Sequence, residues 1–363
     1  MDKPNKKVIA VTGGGTGGHI FPNVAVIEEL RERNTANVLW IGEKNGKEQE
    51  WARNSGVPYY GIQSGKLRRY FSVKNLFDLF RVFIGVCQSF FILKKTGPAV
   101  VFSKGGFVSV PPVIAARLRG IPVITHESDV IPGLATRIIS RFASIVCVSF
   151  EKSDARTKRG RIVHTGNPVR RTVKQGKTEA GKKFLRFVND GGIVTVLGGS
   201  LGASSINSAV WDMVERFSLP FNLVHQCGQG NAREGYENNI RYRQFEFIGA
   251  EMGAVLAASD VVVSRAGAGA LYEIGFMKKP SLLVPLPRSK SRGEQIANAR
   301  FFQEHGASDV LLDEELNGRR LFDRIEVLLA DENRLKSMGE KAHALCSDDA
   351  EKKIAALIEE LLS

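Results

Sequence analysis

Short runs of aliphatic and β-branched residues alternate with stretches of helical periodicity along the first half of this chain. VIAV (8–11), NVLWIG (37–42), AVVFS (99–103), PVITH (122–126) and SIVCVS (144–149) are bounded by turn residues and predict buried strands. PNVAVIEELRER (22–33) and VPPVIAARLRG (110–120) carry apolar positions at helical spacing. Such alternation predicts a parallel α/β sheet. After a polar, basic stretch at 151–183 the pattern starts again with GIVTVLGGSLGASSINSAV (192–210), FNLVHQCG (221–228), FEFIG (245–249), DVVVSRAGAGALYE (260–273) and PSLLVPLP (280–287). Residues 311–363 read as helix-rich with an amphipathic end. The second half repeats the first in kind, so the expected class is α/β, two Rossmann-like doubly wound domains facing a cleft. Turn residues in HTGNP (164–168) set the boundary, giving domains over 1–164 and 165–345 and a terminal helix, 346–363, that packs back on the first.

A chain of 363 residues accommodates two such domains, and 43% hydrophobic with 25% charged residues is a soluble, globular composition. Lys and Arg number 51 against 38 Asp and Glu, so the net charge of +13 favours an anionic partner: nucleic acid, an acidic membrane surface or a phosphate-bearing substrate. The four cysteines, Cys87, Cys147, Cys227 and Cys346, are scattered without C-x-x-C spacing and read as reduced thiols. The start, MDKPNKK, leads into a strand without an apolar secretion region, and no run reaches the ~18 apolar residues of a membrane span. A cytoplasmic protein is the expectation.

Two glycine loops carry the chemistry. In TGGGTGGHIFP (12–22), Gly13, Gly15 and Gly18 fit G-x-G-x-x-G, where backbone and a helix N-terminus can approach a diphosphate. A nucleotide P-loop is excluded, since His19 and Ile20 stand where Lys and Ser or Thr are needed. In the second half, Gly198 to Gly202 satisfies G-x-S-x-G. A nucleophile elbow would need an acid and then a histidine at later strand ends, but His305 and His343 fall in helical or tail segments and Asp260 precedes its strand. A phosphate-binding turn is the better reading of Ser200.

Three further segments close strands or open helices. SRAGAGALYE (264–273) carries Glu273 about two turns into its helix, where a carboxylate can accept both hydroxyls of a ribose or simply face solvent. HESD (126–129) ends a strand, where α/β folds keep polar site residues. Glu294, Gln295 and Asn298 share helical spacing, and amide side chains of that kind can read sugar hydroxyls. The chain has no D-x-D. A diphosphate leaving group would then be met by backbone N–H groups and helix N-termini, with no metal and no cofactor.

From 66 to 95 the chain is both aromatic and basic. Leu76, Phe77, Phe80, Phe83, Ile84 and Cys87 fall at helical spacing among Lys66, Arg68, Arg69, Lys74, Arg81, Lys94 and Lys95, and Leu79, Val82 and Val86 widen the stripe beyond one core face. A core helix is the usual explanation of such a stripe, but aromatic residues amid basic ones also match an interfacial membrane helix.

GGGTGGHIFP, SKGGFVSVPPVIAA, HESDVIPGLATRI, GGSLGASSIN, EFI, SRAGAGALYE and EQIANA, in that order from about 8 to 300, together resemble the MurG family of UDP-N-acetylglucosamine:lipid I N-acetylglucosaminyltransferases. The resemblance implies glycosyltransferase fold type B and transfer of GlcNAc from UDP-GlcNAc to the 4-hydroxyl of the muramyl sugar of undecaprenyl-linked lipid I, giving lipid II for peptidoglycan. It also implies a peripheral protein on the cytoplasmic face of an anionic membrane, with other cell-wall synthesis proteins as partners and no nucleic acid. In the donor half, Ser200 would approach the diphosphate, Ile248 recognise uracil through its backbone, Arg265 line the nucleotide site and Glu273 bind the ribose. Ala268, Gln295 and Asn298 would read sugar hydroxyls. In the acceptor half, Gly14, Thr16, Gly17, Gly18 and His126 would bind the acceptor, with His19 the first candidate for the base and Glu127 or Asp129 helping or replacing it.

HESD departs from the family's HEQN, and Glu294 and Phe107 stand where some members have Gln and Tyr. A related transferase with another lipid acceptor is the nearest rival. A dinucleotide-binding oxidoreductase, with Glu43 on a ribose, leaves the second glycine loop without a purpose.

Overall fold

The computed structural model describes residues 6–65, 73–199, 202–346 and 349–362, with side chains omitted at 73–77. Two compact units emerge: one is Met1–Pro168 with Asp349–Ser363, the other Val169–Asp348.

The first unit runs β1 (Val8–Thr12), α1 (Gly17–Glu32), β2 (Asn37–Glu43), α2 (Glu48–Asn54), β3 (Tyr59–Ile62), α3 (Val73–Thr96), β4 (Val100–Ser103), α4 (Val110–Leu118), β5 (Val123–Glu127), α5 (Leu134–Ile139), β6 (Ile145–Val148) and β7 (Arg161–His164). Its parallel strands lie in the order β3-β2-β1-β4-β5-β6-β7. The second unit runs α6 (Arg171–Lys174), α7 (Thr178–Leu185), β8 (Ile193–Leu197), α8 (Ser204–Arg216), β9 (Asn222–Gln226), β10 (Tyr242–Phe245), α9 (Met252–Ala258), β11 (Val261–Ser264), α10 (Ala268–Phe276), β12 (Ser281–Leu283), α11 (Glu294–Glu304), β13 (Asp309–Val310), α12 (Gly318–Leu329) and α13 (Glu332–Leu345). Its sheet, also parallel, has the order β10-β9-β8-β11-β12-β13. In both sheets the order reverses at the first strand, β1 or β8, and a glycine loop follows that strand. Open α/β sheets bind their ligands at this topological switch point.

Both faces of the first sheet are covered, which explains its near-continuous apolar strands. Ile9, Val11 and Phe102 face one layer, and Ala10, Val101 and Val113 belong to the other. The last helix, α14 (Ala350–Leu362), returns to the first unit. Its Ile354, Ala355, Ile358 and Leu362 complete the layer of Ile27 and Leu30, and Glu359 accepts from Arg33 at 3.0 Å.

One element starts elsewhere than its pattern predicts. Proline favours a first helical turn, so the sequence places the start of α1 at Pro22. The structure starts it at Gly17, with Thr16 extended at the cap and Pro22 inside. Glycines form helices poorly by themselves; here burial of Ile20, Asn23 and Val24 holds the first turns in place.

Candidate functional site

In the first unit the loop between β1 and α1 leaves no room for side chains. Gly13 and Gly15 have φ of +146° and +83°, and a Cβ at Gly14 would sit 2.3 Å from the Glu48 carboxylate. That fully buried carboxylate accepts from the Glu43 N–H at 2.7 Å and from the Gly15 N–H at 3.2 Å. The loop delivers Thr16, Gly17, Gly18 and His19 to the start of α1, whose first turn has no acidic residue.

The His19 ring lies against Gly106, whose added Cβ would approach Cδ2 within 3.0 Å. Its Nδ1 is 3.2 Å from the Lys104 carbonyl. A carbonyl only accepts, so Nδ1 carries a proton, and in the neutral form of the ring Nε2 is the basic nitrogen.

Lys104 itself is buried, and its ammonium donates to the Ser128 hydroxyl. Ser128 donates to Asn167 Oδ1 at 3.0 Å. Burial pushes the Lys104 amine down to about 8 against the opposing pull of Glu127 and Asp129.

The three HESD candidates differ in setting. His126 is fully buried, its Nε2 meets the Gly166 carbonyl at 2.8 Å, and burial together with Lys104 holds it well below the usual imidazole range. Glu127 is also buried and accepts from the N–H of Asp129 at 3.0 Å and of Gly133 at 3.1 Å. Both bonds go to backbone N–H groups of the loop that follows β5, so the structure gives Glu127 the geometry of a loop support. Asp129 is the half-exposed member.

The donor candidates all lie in the second unit, apart from Ser200, which falls outside the described residues. Gly199 and Gly202, on either side of it, have φ of +76° and +75°, and a Cβ at Gly202 would meet the Cys227 carbonyl at 2.1 Å. Ile248 is buried and donates its N–H to Gln226 Oε1 at 2.9 Å. The Arg265 guanidinium binds Asp313 at 2.6 Å, Ser205 at 2.7 Å and the Val284 carbonyl at 3.0 Å. Asp313 also accepts from Ser205 at 2.7 Å, and these two partners hold its carboxyl below the ordinary range despite burial. This trio clamps the start of α8, which follows the glycine loop, to the end of β12.

Glu273, in α10, is gripped by Arg170 in a two-point fork at 2.6 and 2.9 Å. Ala268 opens the same helix. Asn298 is buried and donates to the Ala266 carbonyl at 3.1 Å, while Gln295 accepts from the Leu286 N–H at 3.1 Å. Both amides therefore pin the loops that begin α10 and follow β12. Among the described residues there is no cluster of three or more His, Cys, Asp or Glu able to hold a metal.

The N-terminal domain of glycosyltransferase family 28 matches residues 9–148, and the C-terminal domain of that family matches 193–360. A curated relative from Clostridium kluyveri is 43% identical over 97% of this chain and 99% of its own. It is named UDP-N-acetylglucosamine–N-acetylmuramyl-(pentapeptide) pyrophosphoryl-undecaprenol N-acetylglucosamine transferase, as is a relative from Lachnospira eligens, 45% identical over 90% of this chain and 92% of its own. The chain belongs to the MurG family of glycosyltransferase family 28. The crystal structure of MurG from Acinetobacter baumannii, at 23% identity, shares the fold with a TM-score of 0.74 over 98% of this chain and 99% of its own.

Membership in the MurG family removes the oxidoreductase reading. Glu43, its ribose candidate, instead accepts from Ser64 at 2.9 Å. The residues weighed as partners of a hydrolase elbow are engaged elsewhere: Asp260 accepts from the Ile193 N–H, and His305 and His343 bond to backbone carbonyls of Phe301 and Phe276. Sequence reasoning missed Glu48, Lys104, Arg170, Gln226 and Asp313. Nothing in IGEKNGKE (41–48) sets Glu48 apart from the charged residues around it, and only burial reveals its hold on the loop.

Proposed function

We propose that the protein transfers GlcNAc from UDP-GlcNAc to the 4-hydroxyl of the muramyl sugar of undecaprenyl-linked lipid I, with inversion, giving lipid II and UDP. Near-full-length identity to relatives of that name carries the reading. The acceptor oxygen attacks the anomeric carbon as the bond to the UDP oxygen breaks, and the hydroxyl proton passes to His19 Nε2. The contact between Nδ1 and the Lys104 carbonyl makes Nε2 the basic nitrogen of the neutral ring. Glu127 and His126 support the loop that presents Asp129. Thr16, Gly17 and Gly18 meet the acceptor diphosphate at the start of α1, whereas Gly14, buried against the Glu48 carboxylate, shapes the loop and does not touch the anion.

On the donor side, the glycine loop with Ser200 and the start of α8 meets the leaving diphosphate. Its charge is taken up by backbone donors without a metal. Ile248 reads uracil, Glu273 the ribose, and Ala268, Gln295 and Asn298 line the sugar, while Arg265 holds the frame around them. The test is UDP release from UDP-GlcNAc with and without a lipid I analogue, in EDTA, for the wild type and His19→Ala. Acceptor-dependent release that collapses in the variant is expected; release that survives His19→Ala would remove the base.

We further propose that α3 seats the protein on the cytoplasmic face of an anionic membrane. Leu79, Phe80, Phe83 and Phe91 are 57%, 64%, 63% and 66% exposed and form one stripe with Cys87, ending at Lys94 and Lys95. Ile84 is half-buried, Val82 turns inward, and the side chains of Leu76 and Phe77 lie outside the described residues. Exposed aromatic rings followed by cations fit the headgroup boundary, and among the described residues no helix is long and apolar enough to cross. Changing Phe80 and Phe83 to Ser should weaken binding to anionic vesicles about tenfold at unchanged UDP affinity. Equal vesicle binding would remove α3 as the contact.

A further inference from the structure

We propose that Gln226 is a positioning residue for the donor nucleotide, a buried amide that sets the span between the uracil and diphosphate ends of the site. This rests on the donor reading above.

Gln226 closes β9 opposite Leu197, the last residue of β8, and is only 3% exposed. Its Nε2 donates to the Gly199 carbonyl at 3.1 Å, and its Oε1 accepts from the Ile248 N–H at 2.9 Å. The two partners settle which amide atom points where, since a carbonyl can only accept and an N–H only donate. The backbone joins in, because the Gln226 carbonyl accepts from the Gly198 N–H at 3.2 Å. One side chain therefore spans the turn that begins the glycine loop and the segment that carries Ile248.

The preceding residue anchors the far side of the same loop. His225, fully buried, meets Asn207 of α8 at 3.0 Å and Tyr242 at 2.8 Å, and Asn207 donates to the Cys227 carbonyl at 2.7 Å. Consecutive side chains of β9 thus hold the loop from its entry and from the helix it feeds.

Only an amide of this length satisfies both partners of Gln226. Glutamate accepts from Ile248 but sets a carboxylate against the Gly199 carbonyl, and methionine fills the volume while bonding to neither. Reading a base through a peptide group needs that peptide within about 0.5 Å of its productive place. An untethered Ile248 segment therefore loses discrimination as well as affinity.

The experiment compares wild type, Gln226→Met and Gln226→Glu as full-length proteins, by calorimetric titration of UDP and CDP, steady-state kinetics and thermal melting. In the methionine variant, UDP affinity and the preference for UDP over CDP should each fall about tenfold, with the donor KM raised, kcat within about threefold and the acceptor KM unchanged. Glutamate should keep the base preference and lose affinity. A core-filling role would shift the melting temperature alone. If folded variants keep both UDP affinity and base preference, the inference fails by itself; if the methionine variant does not fold, unchanged UDP affinity in the glutamate variant decides against it. Failure of the wild type to bind UDP overturns this inference together with the donor reading.

Discussion

Glu48 holds the first glycine loop by an N–H, at Gly15, whereas Gln226 holds the second by a carbonyl, at Gly199. Both loops leave the switch-point strand of a parallel sheet, so topology does not distinguish them. The braces do. An anion already bonded to the first loop repels phosphate from that turn and leaves the anion-binding role to the start of α1. A neutral amide on a carbonyl uses none of the second loop's N–H groups. The charges nearby differ too: in the first unit the buried Lys104 ammonium donates to the Ser128 hydroxyl, while the second unit pairs Arg265 with Asp313 and Arg170 with Glu273. One fold, used twice, is specialised by what lies beneath the loop.

The largest effect should come from forcing the first loop off its brace. Gly14→Ala puts a methyl group 2.3 Å from the Glu48 carboxylate. Turnover with a lipid I analogue should fall about 100-fold or more, because a displacement of ~1 Å at a reacting group costs that much. Turnover within a few-fold of wild type would show that the loop does not position the acceptor.

Next is the second unit's charge clamp. Asp313→Asn leaves Arg265, 12% exposed, without its counter-charge. Breaking a buried pair from one side costs about 3–5 kcal/mol; with part of that relieved by the remaining partners, the donor KM should rise about tenfold while the acceptor KM stays put. An unchanged donor KM would make the clamp purely structural.

The smallest effect is common to both units. Burial holds His126 well below its ordinary value and pushes His225 down to about 3. Below pH ~6.5 the unfolded chain binds protons that these native rings refuse, so stability is lost as the pH falls from there, by up to about 1.4 kcal/mol per unit for each ring. Urea midpoints at pH 7.5, 6 and 5 should decline, and less steeply in His225→Gln. The same decline in the variant would assign the effect to other groups.

The alternation of apolar runs and the two glycine loops made the sheets and their switch points legible, since strand burial and glycine spacing are local properties. The braces are not local. Glu48 lies 33 positions from Gly15, Gln226 27 from Gly199, Asp313 48 from Arg265 and Arg170 103 from Glu273. Each looks like a solvated polar residue until the fold removes water from it. The roles of Arg265 and Asn298 shift for the same reason: read as ligand contacts, both also spend hydrogen bonds on the backbone of their own unit.

The division of labour between the loops is tested most directly by titrating UDP calorimetrically into Gly14→Ala and Gly202→Ala side by side. The second substitution drives a methyl group to 2.1 Å from the Cys227 carbonyl, at a glycine whose φ is +75°. The account predicts wild-type UDP affinity in Gly14→Ala and a loss of at least tenfold in a folded Gly202→Ala. Loss of UDP binding in Gly14→Ala, or its retention in Gly202→Ala, would contradict it.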